Sequence, residues 1–215
     1  MGVLPFYGAT EPDLFAIERQ AMDRPQRVVR ALDAVLPSGL VVDVGAGSGH
    51  TAVRLQSPTR AVVGLEPAAG MIDADAAISW LRGDAEHLPL AADSVDGLYA
   101  TWAYFFSRDF DAAPGLREAW RVVRPGGTIA IVDNLGDDEF CSLAAADIAA
   151  DPTVWERLGF DLTVVETVFA FDDLAGARRL LSRFFGDAGA AVDRTELSFR
   201  VGLWSTEVAG EQPPL

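Results

Sequence analysis

Short apolar runs of strand length recur along the chain, and stretches with helical periodicity separate them. The runs are LVVDV (40–44), AVVGLE (61–66), ISWLR (78–82), VDGLYA (95–100) and TIAIVD (128–133). A strand that is apolar at nearly every position is one buried on both faces. Helix-compatible segments fall between the runs at 48–56, 67–77 and 112–123, and a two-piece helical pattern precedes them at 11–36. In that leading pair Leu14, Ile17 and Ala21 recur at helical spacing, then Val28, Leu32, Val35 and Leu36, with Pro25 expected in the first turn of the second piece. Strands alternating with helices imply an α/β fold, a parallel sheet covered on both sides. Later the pattern changes. Residues 137–158 are Ala-rich and read as helix interrupted by Pro152, 161–171 alternates like a half-buried strand, 172–185 is helical, and 195–206 is a last strand expected to pair antiparallel. The expected organisation is an N-terminal helical cap (1–37), one α/β domain (38–206) with a helical insertion on the substrate side (134–160), and a tail (207–215).

Composition narrows the function classes. A chain of 215 residues is about one domain and long enough to bury a core without staples. It has one cysteine, Cys141, and two histidines, His50 and His87, too few for a disulfide framework or a thiolate-rich or His-based metal centre. All 17 basic residues are Arg, which excludes a Lys Schiff base and a P-loop lysine. The net charge of −15 argues against binding a phosphate backbone, so no nucleic-acid partner is expected. No run approaches the ~18 apolar residues of a membrane span, and the start lacks a basic, then apolar, leader, so no membrane partner and a cytoplasmic location are expected. Oligomeric state is not legible.

The chemistry concentrates behind the first strand. VVDVGAGSGH (41–50) places Gly45, Gly47 and Gly49 at alternate positions immediately after Asp43-Val44. Residues without Cβ let backbone N–H groups approach a ligand, at the strand end where open α/β sheets bind them. The same residues also make an ordinary tight strand-to-helix turn. Glu66 ends the second strand, where an acid can accept from both hydroxyls of a ribose. Asp84, in GDAEHLPL (83–90), can accept from an adenine amino group while the Ala85 N–H faces a ring nitrogen; alone, Asp84 reads equally as a turn cap. RPGG (124–127) is a turn leading into the fifth strand.

Four landmarks in this order resemble the class I S-adenosylmethionine-dependent methyltransferases, with the small stand-alone enzymes of ubiquinone and menaquinone biosynthesis the most similar type. The resemblance covers residues 38–134 well and fits the strand–helix–strand at 161–206. It implies a Rossmann-like three-layer sandwich with a mostly parallel seven-stranded sheet, the last strand antiparallel and inserted. It also implies S-adenosyl-L-methionine as cofactor. Asp43, Gly45, Ala46, Gly47 and Gly49 would hold its methionine part, Glu66 and Pro67 the ribose, Asp84 and Ala85 the adenine, and Ala100 and Thr101 would lie beside the methionine backbone. A nicotinamide-binding Rossmann enzyme competes poorly, because its G-x-G-x-x-G needs a glycine where His50 stands. Asp133-Asn134 resembles the pair of the magnesium-dependent catechol O-methyltransferases, but Thr101 occupies the position of their third acid, so no metal is expected.

Methyl transfer from a sulfonium is an in-line displacement governed by alignment and water exclusion, with a base required only if the acceptor must lose a proton. The resemblance therefore implies an enzyme that methylates a small molecule at O or N, and a cofactor-binding module without turnover is the alternative. Tyr104 and His50 are the catalytic candidates, His87 a lesser one, and Tyr7 a possible lid contact. Phe6, Tyr7, Phe15, Trp102, Tyr104, Phe105, Phe106, Phe140 and Trp155 are candidate walls of an apolar acceptor pocket; Arg19 and Arg108 would instead suit an anionic acceptor.

Overall fold

The computed structural model describes residues 7–104 and 111–210. Its centre is β1 (Gly39–Val44), which pairs in parallel with β2 (Arg60–Leu65) on one side and β4 (Val95–Thr101) on the other. Beyond these lie β3 (Ser79–Leu81) and β5 (Val123–Asn134), also parallel. β7 (Glu196–Glu207) is inserted antiparallel between β5 and β6 (Asp161–Ala170), giving the order β3-β2-β1-β4-β5-β7-β6. The chain leaves β1 in one direction to build β2 and β3, then returns to build β4 and β5. That reversal opens a crevice at the carboxyl ends of β1 and β4, the place where such sheets take ligands.

The near-continuous apolar runs are buried because both sheet faces are covered. Val42, Val44, Leu98, Ile129 and Ile131 pack with Leu116, Ala119 and Trp120 of α4 (Ala113–Val122). Val41, Tyr99, Ala130 and Val132 pack on the opposite side with Leu32 of α2 (Arg27–Val35), Ala52 and Leu55 of α3 (His50–Leu55), and Leu180 and Leu181 of α6 (Leu174–Phe185). On the edge strand β6 the inward Val165, Thr167 and Phe169 are buried while Val164 is exposed, the alternation of a strand with one wet face. The Arg60 guanidinium is buried at the ends of α2 and α3, donating to the carbonyls of Leu36, Pro37 and Leu55 and to Asp33. It thereby satisfies helix-end carbonyls that would otherwise be orphaned.

Several expectations are corrected. Pro25 lies before α2 rather than within it, and α2 starts at Arg27 because buried Asp23 accepts from the backbone N–H groups of Arg27 and Val28. Residues 67–77 contain only a 3₁₀ turn, Ala69–Met71. The stretch 137–158 holds one 3₁₀ turn, Cys141–Leu143, and the short α5 (Pro152–Arg157), which Pro152 opens rather than interrupts. RPGG is part of β5, where the pairing with β4 shifts register between Val95 and Gly97. The start of the tail is ordered too. Val208 is buried, donates to the Gly127 carbonyl and accepts from Gly126. Among the described residues no helix is long and apolar enough to cross a membrane.

Candidate cofactor site

The bend after β1 is built from three left-handed glycines, Gly45 (φ +75°), Gly47 (φ +56°) and Gly49 (φ +79°). Its first two amides, of Gly45 and Ala46, donate to the Leu65 carbonyl at 2.9 and 3.1 Å, folding the bend against the end of β2. The Gly47 N–H donates to Glu66 Oε2 at 2.9 Å, and Ala68 N–H donates to Oε1 at 2.9 Å. Glu66 is buried, so the acid at the end of β2 and the glycine bend form one unit. Asp43 lies beneath them. Its carboxyl is buried and pushed up to about 7 by that burial, with Tyr99 and Arg19 pulling it down and Glu66 pushing it up. Neither Asp43 Oδ1 nor the Tyr99 hydroxyl has a partner in hydrogen-bond geometry. The two residues are partners across the paired strands β1 and β4, and each perturbs the other: Tyr99 lowers the Asp43 carboxyl and Asp43 raises the Tyr99 phenol.

Asp84 follows β3 in a turn. Its Oδ1 accepts from Glu86 N–H at 2.9 Å and lies 3.3 Å from His87 Nδ1, while Ala85 is buried. The turn is strapped to α4: Leu88 N–H donates to Glu118, and Arg121 binds both Glu118 and the carbonyls of Leu88 and Leu90. Those bonds from Arg121 and Leu88 hold the Glu118 carboxyl below its usual range. Pro67, beside Glu66, accepts from Arg82, which follows β3 and leads to this turn. Ala100 is buried against the α4 face of the sheet, and Thr101, half-buried, ends β4.

The two catalytic candidates sit in different surroundings. Tyr104 donates to Glu86 Oε1 at 3.1 Å, on the Asp84 side, and its ring lies against Gly115 of α4. Burial and Glu86 push its phenol up, so it stays protonated. His50 begins α3 and lines a cavity of about 30 Å³ with Arg19, Met22, Asp23, Gln26, Thr51 and Trp102. Burial, with Arg54 and Arg19 nearby, pushes its imidazole down to about 4. A larger groove of about 320 Å³, between the end of α1 (Pro12–Ala21), β6 and the start of α6, shares no residue with the glycine bend.

Phe15 of α1 and Met71 after β2 pack over Gly47. Phe15 Cζ and Met71 Cε lie 3.5 and 3.7 Å from where a Cβ on Gly47 would be. The Tyr7 hydroxyl donates to buried Glu18, and its ring packs edge-on against Phe15 and Phe184. Not all the candidate wall residues are walls. Phe140 stacks on Phe169 in the core, and Trp155 is buried against Phe160 and Trp204. Trp102 stacks on Phe199 and donates to Asn134 Oδ1 at 3.1 Å. Phe6, Phe105, Phe106 and Arg108 lie outside the described residues. His87 is exposed, and Cys141 is half-buried, its thiol pushed up to about 12 by burial and Asp138. Among the described residues no three His, Cys, Asp or Glu side chains gather to hold a metal ion.

Residues 42–131 match the family model described as a methyltransferase domain. A malonyl-[acyl-carrier protein] O-methyltransferase of Dechloromonas aromatica is 38% identical over 144 residues, 65% of this chain and 52% of that protein. An uncharacterized methyltransferase of Mycobacterium tuberculosis is 36% identical over 121 residues, 54% of this chain and 49% of that protein. A solved S-adenosylmethionine-dependent methyltransferase from Thermotoga maritima, described as a possible histamine N-methyltransferase, superposes with a TM-score of 0.57. It is 18% identical and covers 94% of this chain and 99% of that one, a likeness of fold. Residues 42–131 thus match a methyltransferase domain, and the chain has the fold of solved S-adenosylmethionine-dependent methyltransferases. It spans about half the length of these two curated relatives.

Asp133 went unnoticed as a lone acid in the sequence, where it reads only as half of a metal-binding pair. At the end of β5 it is buried, Oδ2 has no partner, and burial pushes the carboxyl up to about 7, partly offset by the Asn134 N–H. An unfolded Asp releases its proton near 4, so the unfolded chain binds fewer protons than the folded one between about 4 and 7, and stability falls as pH rises through that window. Asp133→Asn keeps the acceptor for Asn134 and removes this penalty. It is expected to raise Tm clearly at pH 8 and much less at pH 5, as read by thermal denaturation at both.

Proposed function

We propose that the protein transfers the methyl group of S-adenosylmethionine to a small acceptor carrying an ionised oxygen, a carboxylate above all. The observation that carries the cofactor half is the Glu66 carboxylate clasped to the Gly47 amide, which joins a ribose-accepting acid to the glycine bend. On this reading Asp43 and residues 45–49 take the amino-acid end, Glu66 and Pro67 the ribose, Asp84 and Ala85 the adenine, and Ala100 and Thr101 flank the methionine chain. The bound cofactor supplies an electrophilic methyl on a sulfonium. The chain supplies position and dryness, through the core beneath the bend and Phe15 and Met71 above it.

The acceptor half rests on protonation. Of the ionisable residues lining the small cavity, Arg19 is a cation and His50 is too weak a base to take a proton near neutrality. Both oxygens of Asp23 are engaged, by Arg27 N–H, Val28 N–H and Thr167 Oγ1. An acceptor that is already anionic needs no base. The malonyl-[acyl-carrier protein] O-methyltransferases among the relatives support the same class.

Calorimetric titration with S-adenosylhomocysteine, followed by a methylation assay over carboxylate, phenol and amine acceptors, tests the proposal. Binding with turnover on carboxylates is expected. Binding without turnover on any acceptor points to a cofactor-sensing module, and no binding removes the reading. Asp84→Ala is expected to weaken binding of the nucleoside by about 1–3 kcal/mol, the cost of an orphaned partner, and unchanged affinity would take Asp84 out of the site.

A further inference from the structure

Gly64 of β2 stands in one row of the sheet between Asp43 of β1 and Trp80 of β3. Directly paired residues point to the same face, so the side chains of Asp43 and Trp80 flank the space that Gly64 leaves open. The Trp80 ring occupies that space. A Cβ on Gly64 would lie 2.7 Å from Trp80 Cζ3, closer than any real contact. An aromatic ring laid over a glycine of the neighbouring strand is one way a sheet holds its register. The other edge of the same ring reaches the glycine bend. A Cβ on Gly49 would lie 3.1 Å from Trp80 Cζ2 and 3.0 Å from Ile78 Cδ1, so the last glycine of the bend rests on these two side chains. The Gly49 N–H donates to the Ala46 carbonyl at 2.8 Å, and its carbonyl accepts from Val53 N–H at 3.0 Å, the first bond of α3. The place of Gly49 therefore sets both the bend and the start of that helix.

Shape, not hydrogen bonding, holds the indole there. Its Nε1 is buried and has no partner among the described residues, which costs free energy. β3 is only three residues long and lies at the sheet edge, so its ladder to β2 is short. We propose that Trp80 is a positioning residue for the glycine bend: seated over Gly64, it holds Gly49 at the height at which the bend takes the amino-acid end of the cofactor. The inference rests on the methyltransferase reading and adds to it a residue that acts on the ligand only through the backbone it supports. The nucleoside half does not depend on the indole. Its turn is strapped to α4 by Leu88 and Arg121 through Glu118, and Glu66 N–H ties the end of β2 to the Leu81 carbonyl at 3.1 Å.

The full chain and its Trp80→Leu, Trp80→Phe and Gly64→Ala variants are titrated by calorimetry with S-adenosylhomocysteine and with 5′-methylthioadenosine, which keeps the nucleoside and sulfur but lacks the amino-acid end. Trp80→Leu is expected to weaken S-adenosylhomocysteine about tenfold or more, and methylthioadenosine about threefold or less. Trp80→Phe still covers Gly64 with a ring and gives up only the orphaned N–H, so it stays within about threefold of the wild type for both nucleosides. Gly64→Ala forces the intact indole aside and reproduces the split, and in the Trp80→Leu background it adds little further loss. The proposal is overturned if Trp80→Leu leaves S-adenosylhomocysteine unchanged, if it weakens both nucleosides equally, or if Trp80→Phe loses as much as Trp80→Leu. Should Trp80→Leu not fold, Gly64→Ala decides on the same two nucleosides by the same criteria. Failure of the methyltransferase reading is seen separately, as a wild-type chain that does not bind S-adenosylhomocysteine.

Discussion

Glu66→Ala is expected to weaken S-adenosylhomocysteine binding about a hundredfold or more and to lower the Tm of the free protein. Two amides, of Gly47 and Ala68, lose their acceptor at once, and the carboxylate they share is buried. Each buried donor left unmade costs about 1–3 kcal/mol, so ~2 kcal/mol or more is lost before any ligand is added. For a chain of this size that is a fall of roughly 4–8 °C. The ribose contact proposed for Glu66 is lost in addition. Glu66→Gln separates the two parts. Its single carbonyl oxygen serves one amide and turns an NH₂ toward the other, so it recovers some of the stability and little of the affinity. Calorimetry and thermal melts of the three proteins read both effects, and an unchanged dissociation constant in Glu66→Ala would detach this acid from the ligand.

Gly45→Ala is expected to be strongly destabilising. At φ +75° a side chain already costs about 1–2 kcal/mol. The added Cβ would also lie 2.5 Å from the Cβ of Ala103, inside any real contact distance. Gly45 and Ala103 follow the two strands that frame the crevice, so relieving the clash pulls the bend away from the end of β4. A total near ~3 kcal/mol lowers Tm by roughly 6–12 °C. Gly126→Ala is the matched control. Its φ is +80° but nothing lies within 4 Å of the new methyl, so only the backbone cost remains. A Gly45→Ala protein no less stable than Gly126→Ala would mean that the bend moves freely and is not a fixed cradle.

The parts of this protein legible in its sequence are those decided locally. β1, β2, β4 and β5 read clearly because burial on two faces leaves almost no polar position in them. The glycine bend and Glu66 read clearly because neighbouring residues make them. Residues 137–158 misled because their alanines favour helix while long-range bonds hold them otherwise. Asp138 accepts from Cys141 and Arg200 amides, and Glu139 accepts from the Ser198 amide and pairs with Arg194. Such anchoring to β7 overrides propensity. Phe15 and Met71 were equally hidden as partners over Gly47, since nothing in their spacing says that a helix before β1 and a turn after β2 meet there. Arg19 was visible only as a cation, and its unpaired Nε emerges from packing alone.

The pair of side chains resting on Gly47 also bears on the pace of turnover. Under the proposed activity, a ligand approaching Gly47 would have to pass Phe15 and Met71, so its entry and exit would require those side chains, or the helix α1 that carries Phe15, to move. Under the proposed activity, the spent nucleoside would leave more slowly than it forms, and mixing enzyme with both reactants would give a rapid first equivalent of product followed by a slower steady rate. Truncating Phe15 to alanine would flatten that burst.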